Sequence, residues 1–428
     1  MADFARLTRR VAPAPESVWH DRAFVTYWLG SSVSVAGSWI TYAVLPILVY
    51  QLTGSAFQTS LVAALEVLPY LIFGLPAGAL ADRLDRRRLM ISCDVINALV
   101  IASIPLAHAL GVLTLPHVYV AAFLAASAFV WFDAANFGAL PALVGKDRLV
   151  AAQSAVWSSW TAIGIIAPSL GGLLAATVGA APTLTVDALS YVVSAVALLL
   201  VARPFSLQEA SGAQVPAIVA PLARMRAEIA EGLSFLWRER IVRTLTLLGF
   251  GVAFSGGAVF GLTVVYAVEA LALPQDDGRI GLLFSAGAAG SLAASLLLPR
   301  LTRRLPAARI TLIGLPFDFV LILAVAAAPG LLVALALLFL WNAVHLLIIL
   351  NGIALRQLVT PDRLQGRVNT TARMIAWGGT PFGAIVAGVL TEFVGVRAAL
   401  ALAAVAVGTS ATAAWFSPLR ESVPIAEP

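Results

Sequence analysis

The sequence predicts an all-α integral membrane protein in which twelve transmembrane helices form two pseudo-symmetric six-helix bundles. The composition, the spacing of apolar stretches and an internal repeat support this prediction. Of 428 residues, 60% are hydrophobic and 11% are charged, and the mean hydropathy is +0.94. Because an average soluble chain has about 25% charged residues, we expect most of the molecular surface to face lipid.

The apolar stretches are long enough to cross a bilayer. A helix that crosses ~30 Å of hydrocarbon needs about 20 apolar residues, and it satisfies all its backbone hydrogen bonds internally. Division of the chain at charges and turn residues gives twelve spans, numbered here from 1 to 12: 23–50, 57–81, 89–110, 116–143, 150–177, 182–202, 241–269, 279–299, 308–328, 331–355, 367–391 and 396–417. An even number of spans places both termini on one side.

Basic residues are distributed unequally between the loops. The even-numbered loops and the two ends carry 24 of the 27 Lys and Arg residues, whereas the odd-numbered loops carry only Arg279 and Arg397. The remaining basic residue, Arg373, lies inside span 11. Since cytoplasmic loops are enriched in Lys and Arg, we expect a multi-pass protein of the inner (plasma) membrane with both termini in the cytoplasm. The first 22 residues do not resemble a signal peptide.

An internal repeat divides the chain. The sequence LVGKDRL at 143–149 recurs as LVTPDRL at 358–364, an offset of 215 residues, and 82–88 has a weaker echo at 299–304. Span n therefore corresponds to span n+6, as in transporters built from parallel repeats. The expected organisation is an N-terminal cytoplasmic segment, a first bundle, a cytoplasmic linker with an amphipathic helix, a second bundle and a cytoplasmic tail, at 1–22, 23–203, 204–240, 241–417 and 418–428. We expect the amphipathic helix to lie at the membrane surface; the alternative is a partner-binding site.

The chemistry-bearing residues exclude several classes of protein. Cys93 is the only cysteine, Lys146 is the only lysine and lies in no P-loop, and the four histidines show no HxxxH spacing. The spans contain no HExxH motif or paired aspartates, so we expect no enzyme activity, metal site or cofactor. The basic clusters fit membrane loops better than a nucleic-acid partner. The expected partners are a small-molecule substrate, protons and the lipid bilayer, and the expected state is a monomer.

Four motifs indicate a family. They are GALADRLDRR at 78–87, TGSA at 53–56, APSLGG at 167–172 and DALSY at 187–191. With them the chain resembles the major facilitator superfamily, and within it the transmembrane-secretion-effector branch of enterobactin-exporter-like and macrolide-efflux-like permeases. The resemblance implies the major facilitator fold and secondary active transport. It also places spans 3, 6, 9 and 12 outside the transport cavity.

The loop between spans 2 and 3 is a candidate gate. Asp82 lies at a helix C-terminus, where the helix dipole disfavours a carboxylate, so it needs a partner such as Arg86 or another helix N-terminus. A pairing made in one conformation only would bias the transport cycle. Arg83 and Asp85 belong to the same candidate gate. The alternative is that the arginines only fix the orientation of the protein.

Span 5 carries a proline and two glycines that could control motion. Pro168 removes a helix hydrogen bond, and Gly171 and Gly172 allow close approach of another helix. We expect tight packing between the halves here. A simple kink and a hinge that controls motion are equally compatible with these residues.

Ionisable residues inside the spans are candidates for proton coupling. A charge in a span costs ~2.5–3.5 kcal/mol on insertion scales, so each needs an explanation. Glu66 is the first candidate because burial favours its protonated form; Asp133 and His345 are the others. Arg373 needs a counter-ion, for which Asp133, Glu66 and Asp82 are candidates. The remaining acids in outer spans are more typical of helix-to-helix hydrogen bonding: Asp94, Asp187 and Asp318.

Aromatic and polar residues on the other spans predict a wide apolar cavity that suits amphipathic or cationic hydrophobic molecules. Its candidate lining residues are Trp39, Tyr42, Asn136, Trp157, Trp160, Phe254, Trp341, Asn342, Arg373 and Trp377. Taken singly, each Trp is also compatible with packing or an interface anchor. The sequence therefore predicts a proton-driven exporter with rocker-switch alternating access. The alternatives are a dedicated exporter of one metabolite, such as a siderophore, and a lipid transporter.

Overall fold

The computed structural model describes residues 17–81, 84–145, 147–201, 203, 205, 221–361 and 364–420. The first six spans are the helices Arg22–Thr53, Ala56–Ala81, Arg86–Ala109, Leu115–Val144, Leu149–Val178 and Ala180–Leu200. A linker helix, Pro221–Arg238, follows. Spans 7 to 12 are Arg240–Val265 with a π-helical turn at Tyr266–Ala270, Ile280–Thr302, Ala307–Ala327, Leu331–Val359, the pair Gln365–Trp377 and Gly379–Val394, and Val396–Trp415.

Twelve helices in the described ranges are long and apolar enough to cross a membrane, which confirms the predicted spans. Local signals set their ends. The Asp21 carboxylate caps span 1 by accepting a hydrogen bond from the Ala23 N–H at 3.1 Å. Gly54 ends the same helix at a φ of 61°, a left-handed conformation that glycine adopts without a Cβ penalty. Within span 11, the helix is interrupted at Gly378.

The two halves have the same helix pairing, which confirms the two-bundle architecture. In the first half, span 1 packs on spans 5 and 6, span 4 packs on spans 2 and 3, and span 3 also packs on span 6. The second half repeats every one of these pairs with six added to each number. A pseudo-twofold relation also holds between the halves, because span 2 packs on span 11 and span 5 packs on span 8.

The linker helix packs on the second half. Leu236 is buried together with Val242 of span 7 and Val368 of span 11, and a Cβ at Gly232 would meet the Arg367 carbonyl oxygen at 2.9 Å. Glu231 forms an ion pair with Arg367. The described part of the linker is therefore attached to the first helix of span 11.

Candidate functional site: the cavity between the halves

The halves contact each other at the end of the molecule where the odd-numbered loops lie, called here the odd-loop end. The Ser55 hydroxyl and the Phe57 N–H donate hydrogen bonds to the Glu392 carboxylate at 2.7 and 3.1 Å. The Tyr50 hydroxyl donates to Glu269 at 3.2 Å. These hydrogen bonds join spans 1 and 2 to spans 7 and 11, so they close the molecule at this end.

Small residues bring spans 5 and 8 together at the same end. A Cβ at Gly172 would meet the Gly278 carbonyl oxygen at 2.6 Å, and Pro168 contacts Gly281 through its backbone. Ser169 and Ser285 share a hydrogen bond of 2.6 Å across the halves. Gly171, in contrast, faces span 1 of its own half. The contact between the halves thus leaves no room for a side chain at Gly172.

A cavity of about 740 Å³ lies between the halves, within the range typical of small-molecule sites. It extends from Tyr42, near the middle of span 1, to Arg356, near the C-terminus of span 10. This end of the molecule, where the even-numbered loops lie, is called here the even-loop end. Aromatic rings form much of its wall: Trp39, Tyr42, Tyr70, Phe129, Trp157, Trp160, Phe260 and Trp377. The centroids of the Trp39 and Tyr42 rings are 5.5 Å apart and those of Trp157 and Trp160 are 5.7 Å apart.

Most of the expected lining residues border this cavity, namely Trp39, Tyr42, Trp157, Trp160, Asn342, Arg373 and Trp377. Three do not. Trp341 is only 1% exposed and packs behind the wall on Phe260 and His345. Asn136 lies in a small neighbouring pocket, where its side-chain oxygen accepts a hydrogen bond from Tyr27 at 2.5 Å. Phe254 packs on span 11 through its backbone, against Gly379 and Gly383.

Glu66 lies beside the cavity. Its carboxylate interacts electrostatically with the Tyr42 hydroxyl, and Tyr42 and Val67 both line the cavity. The Oε2 atom of Glu66 is buried and has no hydrogen-bond partner. A carboxylate in this position lacks the compensation that a buried charge needs.

Asp133 and Arg373 face each other across the halves. Asp133 lines the small pocket with Asn136, and it interacts electrostatically with Arg373. No salt bridge forms between the two in the described structure. The Arg373 guanidinium instead lies over the Trp377 ring, 4.2 Å from its centroid, which is a cation–π contact.

His345 is paired with Asp318, for which the sequence predicts a helix-to-helix hydrogen bond. Its Nδ1 atom lies 3.3 Å from Oδ1 of Asp318, and both side chains are almost completely buried. The ring stacks near Trp341, with centroids 4.9 Å apart, and its other edge faces Gly256. His345 lines the cavity, so the pair connects the cavity wall to span 9.

The other two acids of the outer spans join helices within the first half. Asp187 accepts a hydrogen bond from Thr41 of span 1 at 2.5 Å and another from Ser190 at 3.1 Å. Asp94 interacts with Ser194 of span 6. These contacts agree with the expected helix-to-helix role.

The candidate gate is only partly described, because Asp82 and Arg83 lie outside the described residues. Asp85 caps span 3 by accepting from the Arg88 N–H at 2.9 Å. Arg86 donates to the Gly138 carbonyl of span 4 at 3.0 Å, and Arg87 donates to the Leu198 carbonyl of span 6 at 2.9 Å. The arginines therefore bind the C-terminal parts of two helices in their own half.

Arg356 is a cavity residue that the hydropathy of the sequence does not predict. The apolar run ends at Leu355, so the sequence predicts that Arg356 lies in the following loop, but span 10 continues to Val359. Arg356 is 5% exposed and lines the cavity. Arg356 could have been found by allowing the helix to continue one turn beyond its apolar run.

Comparison with known proteins identifies the family. The sequence profile of the Major Facilitator Superfamily matches residues 27–380. The multidrug efflux pump Tap of Mycobacterium tuberculosis is 30% identical over 414 residues, which cover 91% of this chain and 92% of that protein. Macrolide efflux protein A of Streptococcus pyogenes is 26% identical over 226 residues, or 53% of this chain and 54% of that protein.

Solved structures share the fold. A bacterial homologue of the human lysosomal transporter Spinster, in an inward-facing and occupied conformation, has a TM-score of 0.75 at 13% identity and covers 96% of this chain and 100% of its own. The nucleoside transporter NupG has a TM-score of 0.72 at 14% identity, covering 92% and 98%. At these identities the likeness concerns the fold alone. The profile match and the efflux-pump relatives establish that this multi-pass membrane protein is a transporter, not an enzyme, and belongs to the major facilitator superfamily.

Proposed function

We propose that the protein is a proton-coupled exporter of hydrophobic or amphipathic small molecules that works by rocker-switch alternating access in the inner membrane. The observation that carries the proposal is the aromatic cavity of about 740 Å³ between two six-helix halves. Its walls suit apolar ring systems. The efflux activities named for the Tap pump and macrolide efflux protein A support the outward direction.

The charge distribution supports the orientation. With 24 of 27 basic residues at the even-loop end or the chain termini, this end and both termini are assigned to the cytoplasm. The cavity then opens inward, and the contacts around Glu392 and Gly172 close the outer side. Rocking would exchange these contacts for others at the cytoplasmic end, while each bundle keeps its internal pairing.

Glu66 is the preferred proton carrier among the three candidates. Asp133 interacts with the basic residue Arg373, and His345 interacts with the acid Asp318. Each of these two candidates therefore already has a partner. Glu66 has a buried oxygen with no partner, and such a group favours the neutral form until water reaches it. Opening to alternate sides would therefore load and release a proton at this residue.

Transport in proteoliposomes tests the proposal. A Glu66→Gln variant should lose pH-gradient-driven uptake of a hydrophobic dye, because the amide cannot carry a proton, but it should retain dye exchange without a gradient. Glu239→Gln, which changes a helix-capping acid outside the cavity, should behave as the wild type does. Gradient-driven transport by the Glu66→Gln variant would remove Glu66 from this role. Wild-type transport that ignores the gradient would remove the coupling.

A further inference from the structure

The described side chains that line the cavity are positively charged on one wall only. Arg356 and Arg373 of the second half line it together with His345, and no Asp or Glu is among its lining residues in the described structure. Glu66 and Asp133 of the first half and Asp318 of the second lie beside the cavity but are not among its lining residues. Among the described residues, the charged side chains that line the cavity are thus the two arginines.

Arg356 is the more deeply buried of the two arginines and has few partners. Its Nη2 atom donates to the Asn369 side-chain oxygen at 3.3 Å, and its Nε atom is buried without a hydrogen-bond partner. Within the described ranges, no carboxylate lies within salt-bridge distance of it. A guanidinium has five N–H donors, and removal of its charge from water without an anion is unfavourable.

Other arginines of this protein show what a satisfied guanidinium looks like. Arg148 and Arg203 both contact the Asp21 carboxylate, at 3.0 and 2.6 Å. Arg279 contacts Asp277 at 2.6 Å. These arginines are more exposed than Arg356 and need an anion less, yet each has one. Arg356, in contrast, has no carboxylate partner within the described structure, so its charge is available to an anion that enters the cavity.

Arg373 adds a second cation on the same wall. It lies four residues after Asn369, so both project from one face of the first helix of span 11. Arg373 is held over the Trp377 ring and shares only a longer-range interaction with Asp133. Asn369 thus links the wall position of Arg356 to the helix that carries Arg373.

We propose that Arg356 and Arg373 bind the anionic group of an amphipathic substrate, a carboxylate, sulfonate or phosphate, whose apolar body lies against Trp39, Tyr42 and Trp157. A planar guanidinium binds such oxyanions through paired hydrogen bonds. The inference rests on the proposed export function and narrows its substrate class. It also departs from the cationic molecules allowed by the sequence analysis, because a cation in this cavity meets two arginines.

Two dyes with a similar xanthene ring system and opposite charge provide the test. Fluorescein is an anion and rhodamine 123 is a cation at neutral pH. Equilibrium dialysis against the purified full-length protein in detergent, corrected with empty micelles, should show tighter binding of fluorescein. Arg356→Gln should weaken fluorescein binding about tenfold or more, because charge-assisted hydrogen bonds are lost, and it should leave rhodamine 123 binding unchanged or stronger.

Two further variants separate binding from folding. Arg356→Lys keeps the charge and should retain most fluorescein binding, whereas Arg309→Gln removes an exposed arginine outside the cavity and should change nothing. Equal or tighter binding of rhodamine 123 to the wild type, or unchanged fluorescein binding in a folded Arg356→Gln variant, would overturn the inference. Fluorescein that binds through Arg356 but is not moved by a pH gradient would support the inference and contradict the proton coupling.

Discussion

The two halves of the molecule have the same helix pairing but different charges around the cavity. The first half places the acids Glu66 and Asp133 beside the cavity, whereas the second places Arg356 and Arg373 on its wall. At the repeat offset of 215 residues, Arg356 corresponds to Pro141. The repeat thus duplicates the architecture and leaves the chemistry free to differ. In the proposals above, the first half carries the proton and contacts the apolar body of the substrate, and the second half binds its anionic group.

The glycines distinguish contacts inside a half from contacts between halves. Gly383 of span 11 contacts the backbone of Phe254 within the second half, whereas Gly281 of span 8 contacts Pro168 of the first half. A side chain at the first position must force apart two helices of one bundle. At the second position, the clash can be relieved if the two halves rotate apart.

The largest expected effect follows from that difference. Gly383→Val should destabilise the protein by about 3 kcal/mol or more and reduce the yield of monodisperse protein in size-exclusion chromatography. Gly281→Val should give folded protein with little transport, because the contact between the halves at the odd-loop end cannot form. Equal loss of folded protein in both variants would contradict the division into two rigid halves.

Removal of one member of the buried pair in the second half comes next. His345→Leu leaves the Asp318 carboxylate buried without its base, which should cost about 3 kcal/mol. Asp187→Asn in the first half should cost only about 1 kcal/mol, because the amide oxygen still accepts a hydroxyl hydrogen bond. Thermal unfolding in detergent measures both, and a larger shift for Asp187→Asn would reverse this ranking.

The hydrogen bonds of Glu392 between the halves are expected to contribute less. Glu392→Gln weakens acceptance from Ser55 and Phe57 by about 1 kcal/mol, so the population with an open odd-loop end should rise roughly fivefold. Distances between spin labels at the exposed positions Val112 and Leu332 report this opening. Asp277→Asn, a change within one loop, is the matched control, and identical distance distributions for both variants would exclude a closing role for Glu392.

The smallest effect concerns an ion cluster confined to the first half. Burial alone would raise the pKa of Asp21, but the hydrogen bond and charge of Arg203, with help from Arg148, lower it below 3.8. This pairing stabilises the folded state above about pH 4 and is lost as the pH falls through the lowered pKa. Asp21→Asn should therefore cost about 1 kcal/mol at pH 7 and nothing once Asp21 is protonated. A difference that is constant with pH would contradict the ion pairing.

Hydropathy was sufficient to predict the spans, because a chain segment that crosses lipid has almost no alternative to a helix, and the repeat predicted the two bundles. The spans and the bundle repeat are confirmed. The neighbours of a side chain depend on helix rotation, and every face of span 10 carries apolar residues. Periodicity therefore could not reveal that His345 meets Asp318 or that Trp341 lies behind the wall. The cross-half contacts of Glu392 and Glu269 were likewise invisible because they join spans far apart in the sequence.

The break at Gly378 makes the first part of span 11 a short separate helix. Near its N-terminus Arg367 and Val368 contact the linker helix, and near its C-terminus Arg373 and Trp377 line the cavity. A displacement of the linker helix would therefore reach the cavity-lining Arg373 over fewer than three helical turns. The linker that connects the two halves thus also contacts the helix that carries two residues of the cavity wall.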